Sequence, residues 1–268
     1  MNIANGSEWS APAVVVVVPA LNEAPVIGHV VHDLLSLNSP GRCVIHGVLV
    51  CDNGSTDGTA DRAREAGATV VFAPKRGYGA ACLAGLAAIR AMQPQPDIVL
   101  FADGDGSIVA EEARALIAAI GAGSDLVIGV RTRDRQEAGA LTPPQRVGNK
   151  IASWLIYALW REQVNDLGPF RAIRTRALWR LDMRDETFGW TVEMQVKALQ
   201  LRMRVSEVSV ATRRRVGKSK ISGTVSGVIG AARGIIGKII ALKVAEHRGV
   251  GFAAVVSTQK SDLALDPE

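Results

Sequence analysis

Apolar runs and helical repeats alternate along the first 130 residues of the chain. The five valines at residues 14–18 form a run that is apolar on both faces, as in a central strand of a parallel sheet. Applied along the chain, strand and helix periodicity predicts strands at residues 14–18, 44–50, 69–72, 98–101 and 126–130 and helices at residues 23–37, 58–66, 79–92 and 110–120. This order predicts an α/β fold with a doubly wound, mostly parallel central sheet.

The strict alternation ends near residue 140, where the pattern predicts helices 144–160, 191–201 and 221–242 and strands 170–173 and 205–210. The last helix is the most amphipathic, with its isoleucines and valines within about 140° of arc at roughly 100° per residue. Neither an internal repeat nor a linker is visible. We therefore expect one domain over residues 1–248, with the amphipathic helix reaching about residue 247, and a loosely structured tail at residues 249–268.

Charged and polar residues collect where the predicted strands end. In open parallel sheets, ligands bind at the carboxyl ends of the strands, which share one edge. We expect a ligand site at this edge, because its strand ends carry Asn22, Glu23, Asp52, Lys75, Arg76, Asp103, Asp105 and Arg131.

The segment F-A-D-G-D-G-S at residues 101–107 ends the fourth strand with two acidic residues. Asp103 and Asp105 are two positions apart, so in extended backbone both carboxylates point to the same side. Two such charges repel each other unless a cation lies between them. Asp-Gly pairs also occur in ordinary polar turns, so this segment alone leaves a metal site and a turn both open.

Composition narrows the class of protein. Of the 268 residues, 48% are hydrophobic and 4% are aromatic, which suits closely packed α/β layers. The three cysteines form no C-x-x-C pair, so we expect reduced thiols in a cytoplasmic protein. No signal peptide is recognisable, and no stretch has the roughly 20 apolar residues of a membrane-spanning helix.

The net charge of +5 is unevenly distributed. Residues 202–220 contain seven arginines and lysines against Glu207 alone, so we expect an anionic partner to contact this segment. No helix-turn-helix, zinc or aromatic-interleaved motif accompanies it, and we do not expect nucleic acid to be that partner.

Short motifs with regular spacing run through the chain: P-A-L-N-E at 19–23, C-D-N-G-S-T-D-G-T at 51–59, R-G-Y-G-A-A at 76–81 and A-D-G-D-G-S at 102–107. Together they resemble glycosyltransferase family 2, the inverting enzymes of the GT-A fold. The segments I-G-V-R (128–131), Q-R-V-G-N (145–149), D-L-G-P-F-R-A (166–172), G-W-T-V-E-M (189–194) and R-R-R-V-G-K-S-K (213–220) resemble its branch of dolichyl- and polyprenyl-phosphate mannose and glucose synthases.

The resemblance implies a site for a UDP- or GDP-hexose donor. The family uses the aspartate matching Asp52 to bind a base N–H, and Asn53 stands where many relatives have a second aspartate. Asp57 is better explained as a helix cap. The R-G-Y-G glycines would allow close approach to the donor, since a full dinucleotide fingerprint is missing. The implied donor-binding residues are Pro19, Ala20, Leu21, Asn22, Glu23, Asp52, Asn53, Gly54, Ser55, Lys75, Gly77, Tyr78, Gly79, Ala102, Asp103, Gly104, Arg215, Lys218 and Lys220.

The resemblance also implies a divalent cation. Asp103 and Asp105 match the D-x-D pair that holds Mg²⁺ or Mn²⁺ against the donor diphosphate, where the cation stabilises the leaving group. Arg131 and Arg146 match arginines that meet donor or acceptor phosphates, so Asp105, Arg131 and Arg146 are candidate catalytic residues. The basic segment containing Arg215, Lys218 and Lys220 resembles a loop that closes over the donor phosphates.

The acceptor stays open at this stage. A hydroxyl acceptor needs a general base, for which Asp166 and Glu193 are candidates, whereas a polyprenyl phosphate is already anionic and needs arginines instead. We favour a polyprenyl phosphate at the inner face of the cell membrane. A soluble or lipid hydroxyl acceptor, and a nucleotide-sugar-binding regulator without turnover, are the alternatives.

The amphipathic helix at residues 221–242 has three possible partners. Its isoleucine face could lie in a lipid interface with nearby bases on anionic headgroups, dock on the domain, or contact a second chain in a homodimer.

Overall fold

The structure is a computed structural model that describes residues 12–38, 44–217 and 225–248. Lys218, Lys220, residues 221–224 of the predicted last helix and the predicted tail at 249–268 lie outside the described residues. The strands are β1 (Ala13–Ala20), β2 (Val44–Asp52), β3 (Thr69–Phe72), β4 (Ile98–Phe101), β5 (Leu126–Gln136), β6 (Arg171–Arg174) and β7 (Val205–Thr212). The helices are α1 (Ile27–Leu35), α2 (Thr59–Glu65), α3 (Tyr78–Arg90), α4 (Ala113–Gly121), α5 (Pro143–Trp160), α6 (Thr175–Leu181), α7 (Trp190–Gln200) and α8 (Val225–His247).

Within the described ranges, seven strands form one sheet in the order β3-β2-β1-β4-β6-β5-β7. Strand β1 pairs in parallel with β2 and β4, as do β2 with β3 and β5 with β7. Strand β6 is antiparallel to its neighbours β4 and β5. The mostly parallel α/β sheet predicted from the sequence is therefore confirmed.

Helices cover both faces of β1. Val16 and Val18 pack in one apolar cluster with Leu116 of α4 and other residues of α1 and α4. Val17 belongs to a second cluster on the opposite face, together with Trp190 of α7 and residues of α3 and α6. Because successive side chains of a strand alternate between faces, a strand covered on both sides is apolar at every position, which explains the valine run.

The last helix docks on the domain through one side. Ile239 of α8 is fully buried in a third cluster with Ile156 of α5 and Val192 of α7. Ile240, in contrast, is 52% exposed. The single isoleucine face predicted for this helix is therefore divided, because neighbouring helices cover only part of it.

Three further differences from the sequence prediction concern element boundaries. Helix α1 begins at Ile27, so Glu23 lies in the preceding loop and is buried. Strand β5 continues to Gln136, so Arg131 lies within the strand rather than at its end. The register between β5 and β7 shifts after Arg131. Helix α6 was not predicted, because it follows β6 directly without a turn residue.

Cys51 and Cys82 are free and buried, and burial raises the pKa of the Cys51 thiol to about 12, so Cys51 serves as an apolar core residue. No helix of the described residues has the length and apolar character needed to cross a membrane.

Candidate active site

The loops after β1 and β2 form one connected surface at the edge of the sheet. Parallel pairing places Ala20 beside Asp52, so the two loops begin side by side. Asn22 joins them: its Oδ1 accepts a hydrogen bond from the N–H of Thr56 at 2.8 Å, and its own N–H donates to Oγ of Ser55 at 2.9 Å. Asn22 has the left-handed φ of 52°, a conformation that asparagine tolerates better than most residues.

Asn53 connects the loop after β2 to the loop after β3. Its Nδ2 donates to the carbonyl oxygen of Lys75 at 2.6 Å, and its Oδ1 accepts from the N–H of Gly77 at 2.8 Å. A carboxylate could accept the second bond but could not donate the first. The replacement of the second aspartate by Asn53 is thus explained locally, while the buried Asp52 binds the N–H of Ser55 through Oδ1.

The glycines of R-G-Y-G, which the sequence predicts to allow close approach of the donor, also make a close contact within the protein. A Cβ atom at Gly77 would collide with the carbonyl oxygen of Glu186, and one at Gly79 with that of Asp185. The backbone of residues 185–187 lies against the start of α3, where Glu186 and Thr187 accept hydrogen bonds from Ala80 and Gly79.

Asp103 and Asp105 form the acidic centre of the site. Asp103 Oδ1 accepts a hydrogen bond from Oη of Tyr78 at 3.2 Å, and Asp105 Oδ1 accepts from the N–H of Ser107 at 3.0 Å. Gly104 between them packs against β1, with Pro19 O and Val18 close to where a Cβ would lie. Burial, together with the negative charge of Asp105, raises the pKa of Asp103 to about 7, so the two carboxylates disfavour being charged at the same time.

Arg215 brings a cation to this centre. Its Nη2 lies 3.2 Å from Oδ2 of Asp105 and 3.6 Å from Oε1 of Glu23. The backbone of the basic segment is held there, since the N–H of Val216 donates to Asp105 O and that of Arg213 to Ser107 O. A group of carboxylates that binds one cationic side chain is also chemically suited to a hard divalent cation, because such cations prefer oxygen ligands.

Arg131 and Asp166 form a bidentate ion pair beside the acidic centre. Nε and Nη2 of Arg131 lie 2.7 Å from the two carboxylate oxygens of Asp166, which is 3% exposed. Burial alone would lower the pKa of Arg131, but the hydrogen bonds and charge of Asp166 hold it above its ordinary value, with Asp103 and Asp105 contributing. Asp166 thereby orients a permanently charged guanidinium towards the acidic pair.

Glu193 and Arg146 lie apart from the acidic centre. Glu193 is 2% exposed and binds Lys197 at 3.0 Å, as well as the backbone N–H of Asp185. Arg146 is exposed and lies with Arg133 around a separate depression of about 280 Å³. Neither residue lines the cavity that contains the aspartates.

That cavity has a volume of about 340 Å³, and its lining combines two chemical kinds of residue. The acidic pair, Arg131, Tyr78 and Arg215 form its charged part. The remaining wall is mainly apolar, with contributions from Ile108, Leu141, Pro144, Ala152, Leu167, Pro169, Phe170, Phe188, Val210 and Ile235. The arrangement can bind charged groups and hydrocarbon side by side.

Arg171 supports this site and had no role in the sequence prediction. It is fully buried and donates to the carbonyl oxygens of Gly168 and Thr191, and burial lowers its pKa to about 10. A charged residue between Phe170 and Ala172 in the predicted strand at 170–173 was its signal, but its carbonyl partners depend on the tertiary fold.

The comparison with family models agrees with this geometry. The model of glycosyl transferase family 2 matches residues 15–182. The chain belongs to glycosyl transferase family 2. It is 39% identical over 219 residues to a protein of Mycobacterium tuberculosis (strain ATCC 25618 / H37Rv) described as an uncharacterized glycosyltransferase, with 81% of this chain and 93% of the relative covered.

Two other relatives of this family 2 glycosyltransferase have more specific names. The dolichyl-phosphate hexose transferase of Haloferax volcanii is 29% identical, with 82% of this chain and 92% of the relative covered. The polyprenol monophosphomannose synthase of Mycolicibacterium smegmatis is 28% identical, with coverages of 78% and 81%.

The fold of this glycosyltransferase matches solved GT-A structures. Glucosyl-3-phosphoglycerate synthase of Mycobacterium tuberculosis, crystallised with Mn²⁺, UDP-glucose and phosphoglyceric acid, superposes with a TM-score of 0.68. The two are 22% identical, and the match covers 87% of this chain and 80% of the other. The predicted GT-A fold is confirmed.

Proposed function

We propose that this glycosyltransferase moves a hexose from a UDP- or GDP-sugar to a polyprenyl phosphate, with inversion at the anomeric carbon. The observation that carries the proposal is the mixed lining of the cavity, which combines Asp103, Asp105 and Arg131 with a mainly apolar wall. An acceptor with a phosphate head and a hydrocarbon tail is complementary to both. The names of the Haloferax and Mycolicibacterium relatives support the same acceptor class.

The donor would bind at the charged part of the cavity. Asp52 would accept a hydrogen bond from the base, and Glu23 would lie beside the base and ribose. Asp103 and Asp105 would hold Mg²⁺ or Mn²⁺, which when bound supplies Lewis-acid stabilisation of the leaving diphosphate. Arg215 and the following Lys218 and Lys220 would bind the donor phosphates.

The acceptor phosphate would bind Arg131, and Arg146 is kept as a second candidate for contact with it. Its oxygen attacks the anomeric carbon while the bond from that carbon to the diphosphate breaks. A phosphate oxygen is already negatively charged, so no side chain has to remove a proton. This suits a site in which Asp166 is engaged by Arg131 and Glu193 by Lys197.

A lipid-facing surface would bring the acceptor to the cavity. Helix α5 exposes three large apolar side chains, those of Val147, Ile151 and Trp154. Their i, i+4, i+7 spacing places them in one stripe along the helix. Ile240 and Val244 are exposed on α8, which packs beside α5. We propose that these residues place the enzyme peripherally on the cytoplasmic face of the membrane; a homodimer through the same stripe is the alternative.

A transfer assay with matched acceptors tests the proposal. The purified chain is incubated with UDP- or GDP-hexose and Mn²⁺, and with either a polyprenyl phosphate or the polyprenol of equal length. We expect product from the phosphate and none from the alcohol, because only the phosphate is anionic. Product from the alcohol or from a soluble hydroxyl compound would instead support the hydroxyl-acceptor alternative. If the protein binds the nucleotide sugar but neither transfers nor hydrolyses it, that result would support a regulator.

A further inference from the structure

The segment between α6 and α7 contacts the last helix through a buried carboxylate. Asp185 is 8% exposed, and its Oδ2 lies 2.8 Å from Nζ of Lys238 on α8. Its other oxygen accepts hydrogen bonds from the N–H and Oγ1 of Thr187, at 2.7 and 2.9 Å. Lys238 therefore neutralises a charge that the surrounding protein shields from water.

Glu193 holds the same segment from the side of α7. Its Oε2 accepts hydrogen bonds from the backbone N–H groups of Arg184 and Asp185, at 3.0 and 2.7 Å. Its Oε1 lies 3.0 Å from Lys197 Nζ and 4.0 Å from Lys238 Nζ. Lys238 thus lies between two buried carboxylates that come from different parts of the fold.

The far side of this segment supports the start of α3. The carbonyl oxygens of Glu186 and Thr187 accept hydrogen bonds from Ala80 and Gly79, at 2.9 and 3.1 Å. These N–H groups belong to the first turn of the helix, where backbone N–H groups have no carbonyl partner within the helix itself. Lys75 adds an ion pair to Glu186 at 2.7 Å, so the position of residues 185–187 determines where α3 begins.

The first residue of α3 continues the contact to the acidic centre. Tyr78 lines the cavity and donates from Oη to Oδ1 of Asp103. A connected series of contacts therefore runs from Lys238 through Asp185 and the first turn of α3 to the candidate metal ligand.

We propose that Lys238 is a positioning residue for the donor site. By neutralising Asp185 it keeps residues 185–187 against the start of α3, and thereby keeps Tyr78 and Asp103 in place. Loss of its charge leaves a buried carboxylate without a cation among the side chains that the structure describes, which favours movement of the segment towards water. The statement that a donor binds at Asp103 rests on the proposed function, whereas the contact between α8 and α3 does not.

Hydrogen exchange of backbone amides tests the contact itself. In Lys238→Met we expect the Gly79 and Ala80 amides to exchange several-fold faster than in the unmodified protein. Lys243→Met is the matched control, because Lys243 is on the same helix and pairs with Glu246 at 2.9 Å, away from Asp185. Equal exchange at Gly79 and Ala80 in the two variants would overturn the proposal.

Nucleotide binding tests the consequence for the site. With Mn²⁺ present, we expect Lys238→Met to weaken UDP or GDP binding by about 10-fold or more, as is typical for residues that support a metal site. The KM for the donor should rise while the KM for the acceptor stays unchanged. Lys238→Arg should restore most of the affinity because it keeps the charge; an equal loss in both variants would point to packing and refute the positioning role.

Two further results separate the possible failures. If Lys238→Met does not fold, the double variant with Asp185→Asn removes the unpaired charge, and we expect it to fold with partly restored protection at Gly79 and Ala80. A double variant no better than the single one would count against the proposal. If the unmodified protein binds neither nucleotide, the proposed function fails, while the exchange measurement still decides the role of Lys238.

Discussion

The guanidinium of Arg131 binds both carboxylate oxygens of Asp166, with Nε–Oδ2 and Nη2–Oδ1 distances of 2.7 Å. The backbone N–H of Arg131 donates to the same carboxylate at 2.9 Å. All three donors approach a side chain that is almost completely buried. We infer from this pairing that Asp166 orients Arg131, because a carboxylate that accepts three hydrogen bonds is a poor acceptor for a substrate proton.

Asp166→Asn should lower kcat/KM by about 10- to 100-fold, since an amide cannot accept both guanidinium bonds and Arg131 loses its orientation. The shape of the pH–rate profile should stay the same, because no general base is removed. Steady-state kinetics from acidic to alkaline pH measure both quantities. The control is Asp134→Asn, which changes an exposed residue on the same strand. If Asp166→Asn alone lost the acidic limb of the pH–rate profile, that result would support the general-base hypothesis.

Asp105→Ala should abolish transfer and leave the fold intact. The substitution removes one candidate metal ligand, but it also relieves repulsion with Asp103, so we expect a stability change within about 1 kcal/mol. A transfer assay, calorimetric titration with Mn²⁺ and UDP, and thermal unfolding provide the three readouts. Asp61→Ala, which removes an exposed partner of Arg64, should leave all of them unchanged; normal turnover in Asp105→Ala would refute the metal role.

The raised pKa of Asp103 predicts how the metal-free protein responds to pH. Its folded pKa of about 7 lies above the ordinary 3.8, so between these values the folded state binds a proton that the unfolded state has lost. The contribution of Asp103 to the free energy of unfolding is therefore fully present below pH 3.8 and is lost as the pH rises towards 7. Above that pH the loss is complete.

Asp103→Asn should accordingly raise the melting temperature of the metal-free protein. The increase should be larger at pH 8, above the folded pKa, than at pH 5, which lies between the two pKa values. The amide can still accept the hydrogen bond from Tyr78, so that contact is kept. Thermal unfolding in the presence of a chelator measures the effect. An equal shift at the two pH values would contradict the raised pKa.

Gly79→Ala tests the contact between α3 and residues 185–187. Its Cβ would collide with the carbonyl oxygen of Asp185, and we expect the free energy of unfolding to fall by about 2–3 kcal/mol. Gly121→Ala is the control, because nothing lies within 4 Å of a Cβ there and alanine is the better helix former. Denaturant unfolding of both variants gives the comparison; an unchanged Gly79→Ala would show that the segment moves aside freely.

Trp154→Glu tests the proposed lipid-facing stripe. Trp154 is 64% exposed on α5, and a charge there should reduce co-sedimentation with anionic vesicles because it cannot enter the interface. Phe72→Glu, at an equally exposed aromatic on β3 (65%), should have no such effect. If the unmodified protein stays in the supernatant, the lipid proposal is wrong, and loss of a dimer in Trp154→Glu would assign the stripe to a second chain.

Most elements could be predicted because their signals are local. The valine run of β1 and the apolar periodicity of α1, α3 and α4 lie within single segments, and the structure confirms these elements with shifted ends. Helix α6 was missed because Arg174 of β6 runs straight into Thr175 of α6. The divided face of α8 was also missed, because exposure of Ile240 depends on where the neighbouring helices stop.

By itself, the sequence determined the alternation of strands and helices, the acidic pair at the end of β4 and the family to which the chain belongs, since periodicity and motif spacing are properties of short segments. Only the tertiary structure decided what those residues contact. The Arg131–Asp166 pair spans 35 positions and the Lys75–Glu186 pair spans 111, and no local pattern specifies a partner at such distances. The pairing of Asp166 with Arg131, the close contacts of Gly77 and Gly79 and the contact of Lys238 therefore follow from chain packing.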